Sequence, residues 1–244
     1  MDKNTALDVR VYPIDEPKGK TLAFASVSIG DIAAMRSIRV VQGAERPYVA
    51  MPKSKDKSGG FHDLTCPLVS DLRKDLNAAV LSEWEKQAAL APEERGYEKF
   101  DYNKENLRKP GELIYSFDVK PISKPKGNTL AYASATLDDT VAINSIRVYN
   151  SENGLRVSMP QSKDRNGGFH DVAFPLNGDI RKALCADIIE DYQQKAAEMS
   201  EKKQGIGEKL AAGAQKVADL VASAAPAPVA PAMSAAKRGP GLGD

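Results

Sequence analysis

The sequence predicts an α+β protein made of two tandem modules, each a small antiparallel β-sheet followed by one C-terminal amphipathic helix. The first observation behind this is a repeat. Met51-Pro-Lys-Ser-Lys-Asp-Lys-Ser-Gly-Gly-Phe-His-Asp63 returns as Met159-Pro-Gln-Ser-Lys-Asp-Arg-Asn-Gly-Gly-Phe-His-Asp171, an offset of 108 residues. The same offset relates Leu22-Ala-Phe-Ala-Ser26 to Leu130-Ala-Tyr-Ala-Ser134, and Ser37-Ile-Arg-Val40 to Ser145-Ile-Arg-Val148. Aligned without a gap from Val9 to Lys86, the copies agree at roughly 45% of positions. The second observation is a change of period inside each copy, from alternation typical of strands to the spacing of a helix.

Each element can be justified in order. Leu7, Val9 and Val11 alternate with Asp8 and Arg10, as in a half-buried strand. Pro13 to Lys20 holds two prolines and a glycine and reads as a hairpin connection. Thr21 to Ile29 is a second strand, and Met35 to Val41 a third, with Ile38 and Val40 on one side and Arg39 on the other. Gly43 to Pro47 is a turn, and Tyr48 to Met51 opens a fourth strand. Lys53 to Gly60 is a polar loop ending in Gly-Gly, where positive φ costs little. Phe61 to Cys66 is a short extended piece.

The period then lengthens. Leu72, Leu76, Val80 and Trp84 form an apolar stripe, matched by Ile180, Leu184, Ile188 and Tyr192. Ser70 or Asp71 is the expected cap of the first helix, and Asp179 that of the second. The stripe must cover one face of the sheet. Phe61, Phe169, Trp84 and Tyr192 are expected in the core.

The domain reading is module 1 at 7–86, a linker at 87–112, module 2 at 113–195, and at 196–244 a weak helix followed by a tail. Tyr97, Phe100 and Tyr102 are placed to dock the linker loosely. The Ala/Pro/Gly-rich stretch from Ala224, with its Lys237-Arg238 pair, cannot bury enough apolar area to order itself.

Composition narrows the function classes. No apolar run approaches the ~20 residues that span a bilayer, and the N-terminal segment lacks an apolar signal-type stretch. Cys66 and Cys185 are the only cysteines and are not equivalent in the repeat, which argues against a structural disulfide and for a cytoplasmic setting. The net charge of +1 gives no global pull toward nucleic acid, so such a role must rest on local charge.

Ser-Ile-Arg-Val, a turn, Met-Pro-x-Ser-Lys, Gly-x-Phe-x-Asp and x-Pro-Leu before a helix follow one another in this order twice. The order resembles the SpoVG family of bacterial septation and sporulation proteins, over Leu7 to Lys86 and again over Phe117 to Gln194. The resemblance implies a homodimeric regulator that binds DNA, and in some members RNA. It therefore implies that two copies on one chain form an intramolecular pseudo-dimer. The chain departs from that pattern by its doubling, and by Phe-His-Asp where the family has Phe-Arg-Asp or Phe-Lys-Asp. It departs again at Thr65-Cys66-Pro67 and Ala173-Phe174-Pro175, where the family has Ala-His-Pro. A mostly neutral His in place of a fixed cation weakens that position as a phosphate contact.

Three sets of cations are candidate nucleic-acid contacts. Arg73, Lys74, Arg181 and Lys182 lie in the first turn of a helix, where the macrodipole disfavours them unless an anion docks there. The structural alternative pairs them with Asp71, Asp75 or Asp179. Lys53, Lys55 and Lys57, with Lys163 and Arg165, line a Gly-ended loop that can hold a phosphate backbone without reading bases. Asp56 and Asp164 dilute that charge. Arg39 and Arg147 point away from the core, toward phosphate or toward Asp31 and Asp139.

His62-Asp63 and His170-Asp171 contain every histidine. One His and one carboxylate per module fall short of the about four ligands of a zinc site, and no nucleophile motif accompanies them. The simpler roles are a strand-end His and an Asp bonding turn amides. The glycine pairs lack the Lys-Ser/Thr that follows in a phosphate-binding fingerprint. The sequence reading is thus a non-enzymatic nucleic-acid-binding regulator with no cofactor, metal or membrane partner, able to associate through its two modules. A protein-interaction scaffold is the main alternative, and a His/Asp- or metal-dependent enzyme the lesser one.

Overall fold

The computed structural model describes residues 6–56, 59–96, 107–164 and 167–223. Lys57, Arg165, the linker aromatics Tyr97, Phe100 and Tyr102, and the expected tail from Ala224 lie outside the described residues. Residues up to Ala197 form one compact unit, and those from Glu198 a second.

The first copy contains β1 (Leu7–Pro13), β2 (Thr21–Ile29), β3 (Ala33–Gln42), β4 (Pro47–Ala50), β5 (Lys53–Lys55), β6 (Phe61–Asp63), β7 (Thr65–Pro67) and α1 (Ser70–Ala88). A single 3-10 turn, Pro92–Glu94, follows. The second copy repeats the order with β8 (Tyr115–Pro121), β9 (Thr129–Leu137), β10 (Val141–Ser151), β11 (Gly154–Ser158), β12 (Gln161–Lys163), β13 (Phe169–Asp171), β14 (Ala173–Pro175) and α2 (Gly178–Ser223). The α+β class and its two sheet-then-helix halves are therefore as the sequence predicts.

Strands β1, β2 and β3 are antiparallel neighbours, as are β8, β9 and β10. Alternation runs through the middle of the central strands. Ala23, Ala25 and Val27 are buried on one side, as are Ala131, Ala133 and Ala135. Leu72, Leu76 and Val80 of α1, and Ile180, Leu184 and Ile188 of α2, are buried in a single core cluster drawn from both copies. Burial of each such side chain stabilises by about 1.5–3 kcal/mol. Trp84 and Tyr192 pack partly buried against it, as expected.

The strands after the hairpins cross between copies. β7 of the first copy pairs with β10 of the second through Cys66↔Ala142, and β14 of the second pairs with β3 of the first through Phe174↔Ala34. Each sheet thus has five strands, one of them donated by the other copy. The donation covers the Ala33–Met35 and Val141–Ile143 edges, which would otherwise present unpaired backbone groups. Ala33, Met35, Val141, Ile143, Thr65 and Ala173 are all fully buried at these seams.

The described flanks of the linker are anchored. Arg95 pairs with Asp15 at 2.7 Å. Arg108 bridges Asp31 of the first copy and Asp138 of the second, while its carbonyl accepts the Asn177 side-chain amide at 2.7 Å.

Several local expectations are corrected. Lys53 to Gly60 is not all loop, because Lys53–Lys55 pairs with Phe61–Asp63 as a hairpin. Neither Ser70 nor Asp71 caps α1, whose cap position is Val69 with no side-chain bond. Asp71 instead accepts from Lys74. In the second copy Asn177, not Asp179, accepts the backbone N–H of Asp179 at 2.7 Å. Phe61 and Phe169 are 69% and 64% exposed, because the hairpins project beyond the sheets and leave no core for them to enter.

Candidate nucleic-acid interface

The side of each sheet facing away from its helix carries a row of side chains in direct cross-strand register. In the first copy the row is Tyr12↔Phe24↔Arg39↔Ala50. In the second it is Lys120↔Tyr132↔Arg147↔Ser158. Directly opposed residues in antiparallel strands have Cβ atoms about 5 Å apart. Each row therefore holds an aromatic ring next to a guanidinium. Phe24 is 40% exposed and Tyr132 48%.

A bulge aims the neighbouring side chains. Ser37 and Ser145 each have φ of 59°, in the left-handed region that serine seldom adopts. Ladder registers shift at this point, between Ile143 and Ile146 in the second copy. Each bulged hydroxyl meets the hairpin of the other copy. Ser145 Oγ lies 2.9 Å from His62 Nε2, and Ser37 Oγ 2.9 Å from Ser162 Oγ. Backbone bonds fix the same junctions, with Asn144 N–H donating to Leu64 at 2.8 Å and Arg36 N–H to Val172 at 2.7 Å.

The hairpins are built to hold their shape. Asp56 Oδ1 accepts the Gly60 N–H at 2.8 Å, and Asp164 Oδ1 that of Gly168 at 2.7 Å. Gly59 and Gly167 have φ near 90°, and a Cβ at Gly60 would fall 2.6 Å from Asp56 Oδ2. The glycine pair is thus required by the turn. Between the β5–β6 hairpin and the second copy's outward face runs a cleft of about 1090 Å³, whose lining includes Lys55, His62, Tyr132, Arg147 and Phe169.

The predicted cations fall into two groups. Those at the helix starts are engaged: Arg73 with Asp63 at 3.8 Å, Lys74 with Asp71 at 3.1 Å, Arg181 with Asp171 at 2.7 Å, and Lys182 with Asp179 at 3.0 Å. Lys53 also reaches Asp63, at 3.5 Å. Asp63 and Asp171 are therefore partners of cations rather than of turn amides. Lys163 lies over the Phe169 ring at 6.0 Å. Arg39 and Arg147 have no ion pair among the described residues, and Lys55 has none either. The Asp31 carboxylate offered to Arg39 by sequence reasoning is occupied by Arg108.

Sequence reasoning passed over Phe24, Tyr132 and Lys120. The signal was present in Leu22-Ala-Phe-Ala-Ser26, where alanines on both sides of the ring force it to the opposite face. Phe174 was also missed. Arg36 lies over its ring at 4.8 Å and Arg181 at 5.8 Å, a cation–ring stack with no equivalent at Cys66.

Burial pushes the Cys66 thiol up, with Asp63 reinforcing this and Arg73 opposing it. Burial also raises Cys185, against the pull of Arg181. Raised thiols are poor nucleophiles. Among the described residues no three His, Cys, Asp or Glu side chains group as a metal site, and no helix is long and apolar enough to cross a membrane.

Comparison with known proteins gives two matches to one family. The SpoVG family model matches residues 5–86 and again 113–194. Proteins that carry the septation-protein name SpoVG are similar to parts of the chain. The one from Acholeplasma laidlawii is 44% identical over 59 residues, 24% of this chain and 63% of that protein, short of two thirds of its length. The one from Myxococcus xanthus is 33% identical over 79 residues, 32% of this chain and 78% of its own. That from Caldanaerobacter subterraneus is 37% identical over 79 residues, 32% of this chain and 86% of its own.

Proposed function

This chain belongs to the SpoVG family, with the family module present twice, and from that premise we propose that it is a non-enzymatic nucleic-acid-binding regulator acting as an intramolecular pseudo-dimer. The observation that carries the binding reading is the pair Arg39 and Arg147. They occupy equivalent outward positions in the two copies, without a carboxylate partner among the described residues. The helix-start cations contribute less, because Asp63, Asp71, Asp171 and Asp179 already offset them.

The pseudo-dimer reading draws on the exchanged strands. Two separate modules would have to meet in solution to complete each other's sheets. On one chain the same step is intramolecular, with an effective concentration on the order of millimolar. Sedimentation at micromolar concentration should give the mass of one chain, and a tight assembly of two chains would overturn this part.

Binding is tested by titrating pooled DNA and RNA oligonucleotides at increasing salt. Affinity should fall steeply, because the counterions released on binding gain less entropy as salt rises. Arg39→Ala with Arg147→Ala should weaken binding across sequences and reduce the salt slope by about 2, roughly one per lost phosphate contact. No binding to either pool at low salt would end the reading. The second reading is a protein-interaction scaffold, which the exposed rings of Tyr48, Phe61 and Phe169 favour. A protein captured from lysate by the wild type and lost on Phe61→Ser with Phe169→Ser would support it.

A further inference from the structure

We propose that the form of nucleic acid this protein takes is single-stranded, with bases stacking on Phe24 and Tyr132 and the adjoining phosphates meeting Arg39 and Arg147. This rests on the nucleic-acid reading above and specifies its ligand class.

The argument begins with the central strands. Phe24 and Tyr132 stand at equivalent positions of β2 and β9, in the middle of the outward faces, and both rings remain 40–48% exposed. A single exposed ring is ordinary. Two at equivalent positions, each in register with an arginine, form a repeated device. Neither arginine spends its charge on a carboxylate or ring among the described residues. A ring beside a free guanidinium suits one nucleotide, whose base offers a π-face and whose phosphate offers a charge a few ångströms away.

The surroundings favour a strand over a duplex. In a duplex the base faces are covered by their neighbours, so an aromatic ring on a sheet gains nothing from them. The second copy's ring lines an open cleft of about 1090 Å³, which Lys55 and His62 of the first copy's hairpin and Phe169 also line. Lys120 continues the row from Tyr132, and Asp118 beside it is met by both Lys120 at 3.4 Å and Lys195 at 3.6 Å. The cleft lining combines the rings of Tyr132 and Phe169 with the cations Lys55, Lys120 and Arg147, which outnumber its carboxylates Asp56 and Asp118, a surface suited to a flexible chain of stacked bases and phosphates. The helix starts are poor candidates for groove reading, since their cations are paired.

The test uses the full chain and fluorescence anisotropy with three probes: oligothymidine, an abasic oligomer with the same number of phosphates, and a duplex of equal length. Oligothymidine should bind at least about tenfold tighter than the abasic oligomer, the size expected of one or two stacked bases. Phe24→Leu with Tyr132→Leu should erase that difference and leave abasic binding unchanged, with the melting curve confirming the fold. Equal binding of the abasic oligomer, or tighter binding of the duplex, overturns the proposal while leaving the nucleic-acid reading intact. Absence of binding to all three overturns the nucleic-acid reading itself.

Discussion

Thr65 Oγ1 of the first copy donates to the main-chain carbonyl of Ala142 in the second at 2.7 Å, and the threonine is fully buried. The bond lies at the seam where β7 completes the sheet of β8, β9 and β10. Its equivalent at the other seam is absent, because Ala173 stands where Thr65 would be. A buried acceptor that loses its donor costs about 1–3 kcal/mol. Thr65→Val should therefore lower stability by about 1 kcal/mol or somewhat more, read as a lower urea midpoint at an unchanged denaturant slope. An unchanged midpoint would show that the hydroxyl contributes nothing to the seam.

Arg108 is the other joint between copies. Its guanidinium meets both Asp31 and Asp138, the two carboxylates also hold its own pKa above the ordinary value, and none of the three side chains is more than a third exposed. Arg108→Met would leave two carboxylates facing each other without a counter-charge. The expected loss is about 1–2 kcal/mol, below that of a fully buried pair because solvent still reaches the site. Adding Asp138→Asn to Arg108→Met should restore part of the loss, and thermal melting of the wild type and the two variants checks it.

What the sequence showed and what it concealed follow from the range of each signal. Alternation and helical spacing are local, so β1, β2, α1 and their repeats were legible from Val9, Val11, Leu72 and Leu76. Strand exchange was not, since Thr65-Cys66-Pro67 is three residues long and its partner Ala142 lies far along the chain. The bulge left a trace: Met35 and Ile38 are both buried, a spacing of three that strict alternation forbids. The candidate site was half visible. Arg39 and Arg147 were placed on the outward face, but the rings beside them were overlooked, because an aromatic residue in a strand suggests the core. Here Ala23 and Ala25 take the inner side, and the alternation between them turns Phe24 outward.

Alkaline pH offers a check on the second copy alone. Tyr115 donates its hydroxyl to Asp187 at 2.6 Å, and its first-copy equivalents are Leu7 and Ala79. Burial, then the bond and charge of Asp187, push the phenol from 10 up to about 12. The group is raised on folding, so its contribution is fully present below the unfolded value and is lost as pH rises from about 10 to about 12. Tyr115→Phe should lose stability at neutral pH and show a shallower fall across that window. Parallel pH profiles of the two proteins would remove the assignment.

The two helix starts provide an internal experiment on capping. Asn177 Oδ1 accepts the backbone N–H of Asp179 at 2.7 Å at the start of α2. Its equivalent before α1 is Val69, which holds φ −83° and ψ 124°, the backbone that a capping residue adopts, yet offers no acceptor. Val69 is also 46% exposed, so little apolar burial is lost by replacing it. Val69→Asn should thus stabilise the protein by about 0.5–1 kcal/mol. Asn177→Ala should destabilise by about 1 kcal/mol or more, since it also removes the amide bonded to the Arg108 carbonyl. If both changes leave the unfolding midpoint where it was, capping does not limit either helix. If only Asn177→Ala acts, the bond to Arg108 rather than the cap is what that asparagine supplies.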